Sequence, residues 1–185
     1  MTTRTAPSTR ELTLAAMLTA LAIFIPMVMP IRLIIGPASY TLASHLPIFL
    51  AMFIKPRVGI IAAIGATIGF LIAGLPIVIV LRAASHLIFA AIGAYYLQAH
   101  PTTLNIPKKR YFFSFWLNII HALAEVVVVA LMTNQAGVEV NYFYMLGILI
   151  GVGTLIHGMV DLELAYFFAH TISQRTRHQL RLFNI

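Results

Sequence analysis

The chain has 185 residues, of which 61% are hydrophobic and 9% charged, with a formal net charge of +7 and no cysteine; its mean hydropathy is +0.94. Soluble domains run to ~45–50% apolar and ~25% charged residues, so a soluble fold is excluded, and the missing thiols rule out disulfides, thiolate metal sites and cysteine nucleophiles. A charge of +7 on a soluble protein points to nucleic acid, but in a membrane protein the placement of charge matters more than its sum.

The polar start "MTTRTAPSTRE" runs into a full-length apolar stretch, with no small-residue cleavage site after a short apolar core. That reads as a retained first span rather than a signal peptide. Crossing ~30 Å of hydrocarbon takes about 20 apolar residues. Apolar runs of about that length occupy Leu12–Ile31, Tyr40–Ile54, Val58–Ala73, Ile77–Leu97, Tyr111–Met132 and Tyr142–His170. Between them lie "GPAS", "KPR", "GLP", "HPTTLNIPKKR" and "TNQAGVEVN", each holding the Pro, Gly, Asn or charge that ends a helix. The expectation is one all-α integral membrane domain of six transmembrane helices. Its second and third spans are short, and are tilted, partly re-entrant or merged at the "KPR" turn.

Lysine and arginine test that count. With both termini cytoplasmic, the inner segments hold Arg4, Arg10, Lys55, Arg57, Lys108, Lys109, Arg110, Arg175, Arg177 and Arg181, ten of the twelve basic residues. The outer loops hold Arg32, and Arg82 lies within a span. This is the asymmetry that the positive-inside rule requires, and five or seven spans spoil it. The chain shows no repeat, linker or second domain, and no glycine-rich phosphate loop.

Few ionisable residues lie inside the spans: His45, then Arg82 and His86, His121 and Glu125, and finally His157, Asp161 and Glu163. Charge in hydrocarbon costs on the order of 2.5–3.5 kcal/mol on insertion scales, so such groups face a bundle interior or a wet cavity and are functional candidates. Arg82/His86, His121/Glu125 and His157/Asp161 share the i, i+4 spacing that places both members on one helical face. A polar core lined by spans four, five and six follows. Arg82, His86, His121 and Glu125 converge on its outer half, the geometry for capture from outside. The candidate binding set is Arg82, His86, His121, Glu125, Tyr40, His45, Asn118 and His157. Asp161 and Glu163 lie towards the inner interface, where ordinary interfacial or partner-contacting charges occur.

Two readings of Arg82 stay open at this level. Its planar fork suits a ligand carboxylate, or it is the structural partner of Glu125. Zinc ligation is disfavoured because no HExxH-type helix is present and the histidines lie on separate helices. A serine hydrolase needs its serine beside a base, and Ser85 faces about 100° away from His86 on an ideal helix. A channel needs rings of polar groups or a carbonyl filter, and one copy of this sequence has neither.

The architecture resembles the S-components of energy-coupling-factor (ECF) vitamin transporters. Two local features carry the likeness. In "ELTLAAMLTALAIFIP", Ala16-x-x-x-Ala20 matches the AxxxA motif by which S-components dock on their transmembrane partner. The segment "GPASYTLASHLPIFLAMFIKPRVG", with the glycine-rich third span "GIIAAIGATIGFLIAG" that follows, is similar to the loop-one and span-two region of that superfamily, most of all its niacin-type branch. The resemblance implies a subunit with no cofactor and no chemistry of its own, in a bacterial plasma membrane. It binds a vitamin from outside under a lid formed by the loop after span one, and delivers it through a transmembrane coupling subunit driven by two ATPases. Nicotinate would pair with Arg82 and stack among Tyr40, Phe70 or Phe89; pantothenate, folate and cobalamin are alternatives. Outside the resemblance stand a proton-coupled transporter using His121, Glu125, His157 and Asp161, and a membrane assembly factor. Close packing of Ala16 and Ala20 within the chain is the competing account of AxxxA.

Overall fold

The computed structural model describes residues 8–134, 141, 143–175 and 183. Helix α1 spans Thr9–Val28, its first turn capped by the Ser8 hydroxyl, which accepts from the Glu11 N–H at 3.2 Å. Two short strands follow, β1 (Arg32–Ile35) and β2 (Ala38–Thr41), paired antiparallel with Leu33 opposite Tyr40. Gly36 turns the chain between them at φ 55°, in the left-handed region open to glycine. Then come α2 (Leu46–Met52), α3 (Pro56–Ile72), α4 (Ile77–Ala99) and α5 (Pro107–Asn134). Proline opens α3 and α5, where its missing N–H costs nothing. A π-helical segment, Phe143–Val152, runs directly into α6 (Gly153–Arg175).

Four of these helical stretches are long and apolar enough to cross a membrane: Thr9–Val28, Ile77–Ala99, Pro107–Thr133 and Phe143–Arg175. The chain is a mainly helical integral membrane protein. Within the expected second span, Tyr40–Ile54, the helix is short. Only Leu46–Met52 of that stretch is helical, and seven residues at 1.5 Å each reach about 10 Å. The rest is hairpin and turn. Tyr40 belongs to β2, and Ala43 takes a positive φ of 61° that no helix contains. Non-helical backbone at this depth survives only when protein surrounds it, and Thr41, Ser44 and His45 are indeed buried. α3, at 17 residues, is the other short apolar helix.

Close helix contact comes from small residues. A Cβ on Gly69 would overlap the Ile23 backbone, and one on Gly65 would meet the Thr19 side chain at 2.6 Å. The glycine-rich face of α3 thereby seats α1 against it, in the manner of small-xxx-small packing. α3 packs on α4, α4 on α5 and α5 on α6, while α2 is tucked among α1, α3, α4 and α6. Phe49, Phe53 and Phe89 are fully buried there, whereas Phe24, Ile64, Ile88, Leu131 and Phe167 point outward. An apolar exterior around a partly polar interior is the arrangement that lipid favours.

An ion pair between Lys55 and Glu11 brings the end of α2 to the start of α1, so the basic residues Arg10, Lys55 and Arg57 gather at one end of the bundle. Arg110, at the start of α5, holds Glu163 of α6 through Nε at 3.1 Å and lies 3.8 Å over the Tyr166 ring. Arg4, Arg177 and Arg181, and residues 135–140 of the expected last loop, lie outside the described residues.

Candidate functional site

The i, i+4 pairs do meet. α4 contributes Arg82 and His86, α5 contributes Asn118, His121 and Glu125, and α6 contributes Thr154, His157 and Asp161. His45, immediately before α2, projects into their midst.

Glu125 is the hub. Its Oε2 accepts from Arg82 Nη2 at 2.6 Å and from the Thr154 hydroxyl at 2.5 Å. Its Oε1 faces His86 Nε2 at 3.3 Å and His121 Nε2 at 3.5 Å. Arg82 and Glu125 are each 3% exposed, so neither charge is compensated by bulk water. The guanidinium also donates through Nη1 to the Pro37 carbonyl at the hairpin tip, at 2.7 Å, while its Nε–H makes no hydrogen bond. The pairing of Arg82 with Glu125 is present in the fold. The guanidinium fork is occupied by Glu125 and Pro37, and one donor is spare.

A second carboxylate organises the other side. Asp161 is fully buried. It accepts from the backbone N–H groups of Ala43 (3.2 Å) and His45 (3.0 Å), and from His45 Nδ1 (3.0 Å). These contacts satisfy the backbone that the turn into α2 leaves open, and hold Ala43 in a conformation that costs a non-glycine residue on the order of 1–3 kcal/mol. Asp161 therefore does not belong with Glu163 near the inner end. Glu163 is partly exposed and paired with Arg110, whereas Asp161 stands at the centre. Its i, i+4 relation to His157 was the sequence signal; its backbone partners, more than a hundred residues away, were not visible there. Thr154 was missed because an isolated threonine in an apolar helix carries no signal.

Asn118 donates through Nδ2 to the Ser114 carbonyl at 2.9 Å and turns Oδ1 to His121 Nδ1 at 3.4 Å. A Cβ on Gly158 would overlap Asn118, so α5 and α6 approach closely only because this position is glycine. His157 meets the Ser44 hydroxyl at 3.3 Å and lies edge-on to Tyr40 with centroids 5.7 Å apart. The Tyr40 hydroxyl donates to the Leu149 carbonyl, tying β2 to the π-helical segment. Phe89 lies against the cluster, 4.4 Å from the His121 ring. Phe70 stands with Ser39, Arg82 and Glu125 around a cavity of about 10 Å³, room for one water. The hairpin packs directly on the cluster through Pro37 and Tyr40.

Ser85 spends its hydroxyl on the Arg82 carbonyl at 2.7 Å and is no nucleophile for His86. Ala16 and Ala20 are exposed, while Ala15, Leu18 and Ala22 form the buried face of α1. Packing within the described chain therefore does not explain the AxxxA spacing. Separation along the sequence does not keep the histidines apart either: ring nitrogens of His45, His86 and His121 lie within 4.8 Å of one another.

No protein-family model and no solved structure matches the chain. A curated relative does: the niacin transporter NiaX of Lactococcus lactis subsp. cremoris is 42% identical over 168 residues, an alignment that covers 89% of this chain and 75% of the relative.

Proposed function

The chain belongs to the niacin-type S-components of the ECF vitamin transporters, and from that premise we propose that it captures niacin from outside the cell for ATP-driven uptake. The identity to a protein named as a niacin transporter carries this reading. The buried cluster under the β-hairpin is the binding site. Nicotinate enters as the hairpin lifts, which frees Arg82 Nη1 from Pro37. The carboxylate then receives that donor and the spare Nε–H, while the pyridine ring lies among Tyr40, Phe70 and Phe89. Charge-assisted donors of this kind bind carboxylates strongly in a water-poor site. The chain itself does no chemistry.

Energy comes from a coupling subunit and two ATPases, which the exposed Ala16/Ala20 face of α1 engages; small residues let a partner helix approach closely. The end that gathers Arg10, Lys55 and Arg57 faces the cytoplasm of a bacterial cell by the positive-inside rule, as do both termini. Six crossings result. The second is made in its outer half by the hairpin and turn and in its inner half by α2.

Calorimetry on the purified chain with nicotinate, nicotinamide and pantothenate tests the proposal. Nicotinate should bind without energy input, nicotinamide poorly, and Arg82→Lys should weaken nicotinate steeply because it keeps the charge but loses the planar fork. Binding of pantothenate in preference to nicotinate would overturn the assignment.

A further inference from the structure

The tautomers of the central histidines follow from their outer contacts. His45 Nδ1 meets the Asp161 carboxylate at 3.0 Å; a carboxylate only accepts, so Nδ1 carries the proton. Asn118 must point Nδ2 at the Ser114 carbonyl, which leaves its Oδ1 as the acceptor facing His121 Nδ1. In their neutral forms, then, His45 and His121 both turn a bare Nε2 lone pair inward. His45 Nε2 lies 3.3 Å from His86 Nε2, and His121 Nε2 lies 3.5 Å from Glu125 Oε1 without a hydrogen bond. Two lone pairs and a third imidazole nitrogen gather at one buried point, and a carboxylate oxygen lies beside two of the three rings. That is a site built for a cation.

We propose that His45, His86, His121 and Glu125 form a four-coordinate site for one divalent transition-metal ion of the zinc class. Metal–ligand distances of about 2.0–2.1 Å in a tetrahedron give ligand–ligand edges of roughly 3.3–3.4 Å. The known edges are 3.3 Å for His45–His86, 3.3 Å for His86–Glu125 and 3.5 Å for His121–Glu125. The bound of 4.8 Å on the remaining histidine separations asks the rings to close by no more than roughly 1.5 Å to reach that tetrahedral edge. The surrounding groups are those a metal centre needs. Asp161 and Asn118 orient two of the imidazoles from behind, and Arg82 with Thr154 fixes Oε2 of Glu125, leaving Oε1 for the ion.

The site deepens the niacin reading but does not depend on it. With neutral histidines, Arg82, Glu125 and Asp161 sum to one negative charge, an unwelcoming centre for an anion. A divalent ion turns that sum to one positive charge, which the nicotinate carboxylate neutralises in a poorly screened interior.

The test uses the tag-free full chain, purified in detergent, stripped with a chelator and titrated with Zn²⁺ or Co²⁺. One equivalent per chain is expected, with the intense visible bands of four-coordinate Co²⁺ and Zn–N/O distances of about 2.0–2.1 Å by X-ray absorption. His121→Ala should abolish stoichiometric binding, and Asp161→Asn should weaken Zn²⁺ roughly 10–100-fold. A double substitution of the exposed His100→Ala and His170→Ala should leave it intact. Failure to bind an equivalent, a six-coordinate spectrum, or loss of binding only in the surface variant overturns the site; the wild-type spectra decide even where His121→Ala does not fold. Nicotinate should bind the Zn²⁺-loaded chain on the order of tenfold or more tighter than the stripped chain. Equal binding to both overturns the metal's part in capture and leaves the niacin function standing. Nicotinate binding to neither refutes that function, while the metal titration still decides the site.

Discussion

Arg82 and Glu125 offer a quantitative test of what holds the polar centre together. Replacing Arg82 with Met, close to it in volume, leaves the Glu125 carboxylate buried at 3% exposure with only Thr154 and imidazoles around it. Removing one partner of a buried ion pair costs about 3–5 kcal/mol, because the other charge stays behind without compensation. Glu125→Leu should cost a similar amount, since it strands the guanidinium. The double variant strands neither charge. It loses the donation to Pro37 and the Thr154 hydroxyl contact, each worth about 1 kcal/mol, and so should be destabilised by roughly 2–3 kcal/mol. Independent effects would sum to about 6–10 kcal/mol; the expected coupling is therefore on the order of 4–7 kcal/mol. Equilibrium unfolding in mixed micelles, followed by circular dichroism for the four proteins of the cycle, measures it. Destabilisations that add to within about 0.5 kcal/mol would show that the two groups do not act as a pair.

Replacing both Ala16 and Ala20 with Trp should abolish nicotinate uptake in cells while the isolated chain binds nicotinate normally, since both side chains lie on the outer face of α1; uptake that survives removes this face from partner docking. Gly158→Val should push α6 away from Asn118 and cost about 1–3 kcal/mol or more as overpacking, seen as a lower melting temperature, and an unchanged melting curve would contradict the close approach. Tyr40→Phe deletes the hydroxyl that ties β2 to Leu149, worth about 1 kcal/mol. It should speed nicotinate release about fivefold in stopped-flow measurements, and an unaltered release rate would argue against the hairpin as lid.

Composition alone established the membrane class, because no soluble surface can hide so many apolar side chains. Helical periodicity alone aligned Arg82 with His86, His121 with Glu125 and His157 with Asp161, since a period of 3.6 residues acts within a single turn. What lay beyond local reach was the segment from Arg32 to Met52. There Gly36, the left-handed Ala43 and Pro47 break the helical repeat, so an apolar run that counts as a span folds into a hairpin and seven helical residues. The central place of His45 and the part played by Asp161 follow from that break: the open backbone of the turn needed acceptors, and a carboxylate on α6 supplied them. Which face of α1 stays free was likewise decided by its partner. Gly65 and Gly69 on α3 admit Thr19 and Ile23 of α1, beside the buried Ala15, Leu18 and Ala22, and Ala16 and Ala20 stay exposed. Spacing along a chain fixes which residues share a helix face, but only the packing of one helix on another decides what that face meets.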